Sequence, residues 1–207
     1  MKSSSVRRLD AREIAVTAIM TATTAALTMV VSVPFPPTRG YFNFGDVMVM
    51  LSGLLFGARV GGLAGGIGSA LADLLLGFSY FAPLTLMIKG LEGFLTGLIG
   101  HNRKLPFKVA AVIAGAAAML IGYFSVETPL FGLGPAFTEL ATINSIQVTV
   151  GATFSLVLAG IIVRTYPDLK SFQRQPTGLR SAAYAMVAVG IVLTAIVLLY
   201  VMTGVFR

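Results

Sequence analysis

Long apolar runs, each near the width of a bilayer, alternate along this chain with short polar or Gly- and Pro-containing breaks. A helix crosses a bilayer in about 20 apolar residues. On that scale seven helices are predicted, over residues 13–33, 46–56, 60–76, 83–100, 107–124, 136–163 and 181–205. Pro34, Pro36 and Pro37 cannot continue the first helix, and residues 38–45 read as a loop. Residues 57–59 form a tight connection, and Pro83 suits the first turn of the fourth helix. Residues 101–106 read as a basic loop with His101 solvated, and residues 125–135 as a longer loop carrying Glu127. The second and third helices are short for a span, so they must tilt or have their ends sheltered by protein. Period-two alternation is absent, which sets aside a transmembrane barrel.

Composition strengthens this picture. Of 207 residues, 56% are hydrophobic and 11% charged, with a mean hydropathy of +0.88. Soluble domains carry about 25% charged residues. The net charge of +7 reflects topology rather than nucleic acid. With the N-terminus in the cytoplasm, twelve of the 15 basic residues fall on the inner side: Lys2, Arg7, Arg8, Arg12, Arg59, Arg103, Lys104, Lys108, Arg164, Lys170, Arg174 and Arg180. Arg39 and Arg207 fall outside, and Lys89 lies within a helix. Lysine and arginine favour the cytoplasmic side, so the expectation is N-in and C-out.

Several chemistries are excluded. The chain has no cysteine, hence no disulfide, thiolate metal site or cysteine nucleophile. It has no phosphate-cradling Walker loop, no metal-ligand cluster and no Ser–His pair on one side of the membrane, so neither a cofactor nor an enzyme activity is expected. No internal repeat supports an inverted-repeat carrier.

Polar residues at membrane depth are costly and are functional candidates by default. Asp46 opens the second helix, Asp73 lies near the outer end of the third, Lys89 and Glu92 share neighbouring faces of the fourth, and Glu139, Asn144 and Gln147 lie on the sixth. Each also has a plainer reading. Asp46 is suited to cap its helix, Asp73 or Glu92 to neutralise Lys89, and Asn144 and Gln147 to act as interhelical glue. Tyr41, Phe42, Phe44, Tyr80 and Phe81 could form an ordinary aromatic belt. Convergence on one membrane face favours a pocket for a small polar aromatic solute. The binders are then Asn43, Asp46, Asp73, Tyr80, Lys89, Glu92, Asn144 and Gln147, with Tyr41 and Phe44 as stacking surfaces. Ala18, Ala22 and Ala26 make a small-residue stripe suited to close helix packing, either internal or against another membrane subunit.

Taken in order, the runs Gly40 to Asp46, Leu54 to Leu75 and Ala82 to Gly93 resemble the substrate-binding S components of energy-coupling factor (ECF) vitamin transporters, in the riboflavin-, pyridoxine- or hydroxymethylpyrimidine-type branch. The resemblance covers roughly residues 10–165. It implies an all-α integral membrane fold, an S-component-like bundle of six helices over residues 1–165. A vitamin or precursor would be held near the outer face under the loop after the first helix. It implies docking through Ala18, Ala22 and Ala26 onto a membrane coupling subunit, with two ABC ATPase subunits supplying energy. Such families usually stop after six helices. Here a cytoplasmic basic linker, 166–180, and an additional transmembrane helix, 181–207, are expected to follow. The competing readings are an assembly subunit without a ligand, a solitary small-solute carrier, and a membrane enzyme using Asp73 and Glu92 as an acid/base pair.

Overall fold

A computed structural model describes residues 11–166. The additional helix expected at 181–207, and all but the first residue of the basic linker, lie outside the described residues. Six helical rods run through the described part: α1 (Ala11–Val30), α2 (Gly45–Phe56), α3 (Ala58–Leu76), α4 (Ala82–Gly100), α5 (Leu105–Phe131), and a last rod made of α6 (Leu133–Glu139), a π-helical turn (Leu140–Asn144) and α7 (Ser145–Thr165). Five of the rods are long and apolar enough to cross a membrane. α2 is shorter, at 12 residues, or about 18 Å at 1.5 Å per residue. α3 has 19 residues and reaches span length, so only α2 fulfils the expectation of a short helix.

The centre of the bundle is α2, α3 and α4. They meet backbone to backbone because glycines face one another. A Cβ added at Gly53 would lie 2.6 Å from the Gly93 carbonyl oxygen and 2.7 Å from the Gly97 nitrogen. Gly57 links α2 to α3 at φ 89°, a left-handed value that glycine adopts without strain. Met50, Leu51, Leu54 and Leu55 of α2 pack on Ala111 and Val112 of α5 and on Ala159 of α7, forming the main apolar core. Outward-facing Leu74, Leu75, Ile113, Phe154 and Ile161 are exposed, as lipid-facing positions are expected to be.

Three expectations are corrected. First, α1 stops at Val30, and residues 32–43 are not a plain loop. Ser32–Phe35 pairs antiparallel with Gly40–Asn43 as a short hairpin, β1 and β2. Pro34 lacks an N–H but is tolerated in a strand that has no second neighbour. Second, α5 continues through the predicted loop to Phe131, with Pro129 inside it and Glu127 buried. The Ser125 and Thr128 hydroxyls donate to the carbonyls of Ile121 and Phe124, at 2.6 and 2.7 Å, so polar residues there are compatible with a helix. Third, His101 is 6% exposed. Its Nδ1 lies 3.2 Å from the Leu54 carbonyl oxygen and its Nε2 3.0 Å from the Asn102 side-chain nitrogen.

Candidate functional site

At one end of the bundle the rods separate around a cavity beneath the hairpin. Its walls come from α1 (Thr28), β2 (Gly40, Tyr41, Asn43), α3 (Ser69, Asp73), the α4 segment (Phe81, Thr85, Lys89), α5 (Met119, Tyr123, Glu127) and the last rod (Glu139, Asn144, Gln147). The empty space is about 440 Å³ with its open mouth included.

Behind the floor lies an ionic knot. The Lys89 ammonium is paired with Asp46, and with the Glu92 carboxylate at 3.0 Å. The three side chains are 0–3% exposed. Gln147 extends the knot: its amide nitrogen donates to both Asp46 oxygens at 3.3 Å, and its oxygen accepts from the Asn43 backbone N–H at 2.9 Å. The Asn43 side chain accepts from the Gly45 N–H at 2.8 Å. Four elements, β2, α2, α4 and α7, are thereby locked to one buried charge. Each ion needs such partners, because an unpaired buried charge costs several kcal/mol.

The hairpin is tied over the cavity on two sides. The Tyr41 hydroxyl donates to Asp73 at 2.7 Å, while its ring stacks on Phe78 with centroids 4.6 Å apart. On the other side the Thr38 hydroxyl donates to Glu139. Burial, and then the neighbouring Asp73 charge, hold the Tyr41 proton well above the ordinary tyrosine range. The π turn carries one residue more per turn than an α-helix. It separates Glu139 from Asn144, and both nevertheless line the cavity together with Gln147.

Of the ten binders expected from sequence, Tyr41, Asn43, Asp73, Lys89, Asn144 and Gln147 line the cavity. Asp46 and Glu92 do not: they sit behind Lys89. Asp46 is not a helix cap, because both its oxygens are taken by Lys89 and Gln147. Asp73 does not pair with Lys89. It takes the Tyr41 hydroxyl instead, while Lys89 is held by two other carboxylates. Phe44 lies outside the wall, edge-on to Phe42. Tyr80 is also outside. It is 46% exposed, with its hydroxyl 3.4 Å from the Thr38 carbonyl oxygen. Sequence reasoning missed Ser69, Thr85, Tyr123 and Glu127 as wall residues. The sequence pattern places Glu127 in a loop, and only the continuation of α5 turns it inward. Ala18, Ala22 and Ala26 are exposed on α1, so this stripe packs against nothing within the described residues.

The chain is 33% identical over 155 residues to the thiamine precursor transporter HmpT of Lactococcus lactis subsp. cremoris (strain MG1363), covering 74% of this chain and 89% of that protein. It is 44% identical over 113 residues to an uncharacterised protein in the gap 3′ region of Pyrococcus woesei, covering 54% of this chain and 76% of that one. A solved S component of a bacterial ECF transporter aligns with a TM-score of 0.45 and 19% identity, over 79% of this chain and 98% of the other. The family described as the S component of ECF-type riboflavin transporters matches residues 8–167. A multi-pass membrane protein with a polar cavity under a hairpin at one end of its bundle, this chain belongs to the family of ECF-type riboflavin transporter S components.

Proposed function

We propose that this S component captures a small vitamin or vitamin precursor, of pyridine, pyrimidine or riboflavin-like type, from the outer face of the plasma membrane. The observation that carries this reading is a set of four polar atoms that share one cavity and have no hydrogen-bond partner among the described residues: Ser69 Oγ, Asp73 Oδ2, Glu127 Oε2 and Asn144 Nδ2. A buried polar atom without a partner costs about 1–3 kcal/mol, so four in one cavity are best accounted for by a solute that satisfies them. HmpT is a thiamine precursor transporter, which supports a heterocycle of this size.

In this reading Tyr41 closes over the cargo from the hairpin, Lys89 contributes the donor at its floor, and Asn43, Asn144 and Gln147 fix its orientation. Asp46 and Glu92 hold Lys89 in place. The basic N-terminal segment supports an N-in orientation, so the cavity opens outward. The exposed Ala18, Ala22 and Ala26 stripe is the docking face for a membrane coupling subunit, and two ABC ATPase subunits of the ECF module supply the energy. The chain itself is then a transport subunit without an ATPase site.

Ligand-dependent thermal stabilisation against a vitamin panel tests the capture reading, because a ligand that binds only the folded state raises its stability by about 2.7 kcal/mol at a hundredfold excess over Kd. At least one vitamin or precursor should raise the melting temperature. A flat response across the panel would return the chain to a purely structural role.

A further inference from the structure

The last rod changes register where it meets the cavity. In an α-helix successive side chains turn by about 100°. On that spacing Glu139 would lie about 140° around the rod from Asn144 and about 80° from Gln147. The π turn at Leu140–Asn144 takes up one extra residue. It brings Glu139 to about 40° from Asn144 and about 20° from Gln147. All three line the cavity, so the wide turn is what puts Glu139 on that wall.

One side chain is fitted to this turn. The hydroxyls of Ser125, Thr128, Thr138, Thr142 and Thr149 donate to the carbonyl four residues back, the ordinary spacing in an α-helix. The Ser145 hydroxyl reaches five residues back, to the Leu140 carbonyl at 2.6 Å. Beyond the turn, α6 buries only Ala136 and Glu139, while Leu133 and Phe137 are exposed. It joins α5 through Gly132 at φ 89°. On the cavity side Glu139 takes the Thr38 hydroxyl, and a Cβ added at Gly40 would lie 2.6 Å from its Oε1. Glu139 and the hairpin therefore fit each other only while α6 keeps this rotation.

We propose that Ser145 is a positioning residue: its hydroxyl holds the π turn, and the turn keeps Glu139 under the hairpin and on the cavity wall. Relaxation to the α register rotates α6 by about 100° and takes Glu139 away from Thr38. The register is independent of what the cavity binds, and its consequence for cargo release rests on the capture reading above.

The chain has no cysteine, so nitroxide labels at Phe137→Cys on α6 and Leu75→Cys on α3, both exposed positions, report the rotation in the detergent-purified full chain. A turn of about 100° at a side-chain radius of about 5 Å moves the Phe137 position by about 8 Å. Pulsed electron spin resonance should give one distance in the parent and in Ser145→Thr. A second, displaced distance should appear in Ser145→Val, which matches threonine in shape but lacks the hydroxyl; Ser145→Ala replaces it if the valine variant does not fold. Deleting Ala141, which removes the extra residue, should give the displaced distance alone. Identical distances with and without the hydroxyl, or an undisplaced distance in the deletion, overturn the proposal. Riboflavin, pyridoxine and 4-amino-5-hydroxymethyl-2-methylpyrimidine are the cargo probes. Whichever binds should leave Ser145→Val severalfold faster than Ser145→Thr, and the difference should vanish in a Glu139→Ala background. A difference that persists there means general destabilisation and overturns the positioning role. Binding of none of the three sinks the capture reading, while the distances still decide the register.

Discussion

Lys89 is the residue on which the ionic knot depends. It is buried between Asp46 and Glu92, and removing one member of such a group leaves its partners as uncompensated buried charges. Lys89→Ala is therefore expected to lower stability by about 3–5 kcal/mol in addition to weakening cargo binding. Adding Asp46→Asn should restore part of the loss. Thermal unfolding of the two single variants and the double variant gives the coupling, and simple additivity would dismiss the ion pair as a structural element. Tyr41 has its own signature. Its folded-state proton is held above the ordinary tyrosine value of about 10, by burial first and by Asp73 second. The folded chain keeps a proton that the unfolded chain loses, so this contribution is complete below about pH 10 and fades as pH rises further. Stability measured from pH 8 to 11.5 should decline more steeply in the wild type than in Tyr41→Phe. Parallel curves would remove Tyr41 from the account.

At the scale of the element, the glycine contacts between α2, α3 and α4 decide how closely these helices approach. Gly53→Ala places a methyl group against the backbone of α4. Overpacking of this kind typically costs about 1–3 kcal/mol, and because the atoms opposite are backbone the upper part of that range is expected in a denaturation assay. Gly134→Ala, which meets nothing within 4 Å, should be near neutral and serves as the control. The hairpin is held chiefly by the Tyr41–Asp73 and Thr38–Glu139 bonds over the cavity, together with the Asn43 backbone contact to Gln147. Thr38→Val keeps the side-chain shape, removes the hydroxyl that binds Glu139, and should raise the cargo dissociation rate severalfold. Stopped-flow measurement would detect this, and an unchanged rate would mean that the hairpin is not a closing element.

At the scale of the whole molecule, the cavity and the alanine stripe are separate surfaces. Ala22→Leu should leave cargo affinity unchanged and abolish co-purification with the ECF coupling subunit. Retained co-purification would move the docking face elsewhere. The lipid-facing side chains, the short central helix α2 and the glycine contacts form one frame, and the ionic knot fastens its cavity end.

Hydropathy runs alone determined the number of rods in the described chain and the centre of each, because lipid demands unbroken apolar helices with internally satisfied backbones. The runs around Gly40–Glu92 carried the family resemblance, and the intramembrane polar residues were visible for their cost. What the sequence did not determine was which of them face one another. A one-dimensional pattern does not say that Lys89 would be claimed by Asp46, 43 residues away, leaving Asp73 to Tyr41. Nor does it say that polar Ser125–Thr128 could stay helical and bring Glu127 to the wall, since hydroxyls that bond back to the helix read like loop residues. Pairing partners, the hairpin and the gathering of wall residues around the cavity belong to tertiary structure, because burial and contact are properties of neighbours in space rather than along the chain.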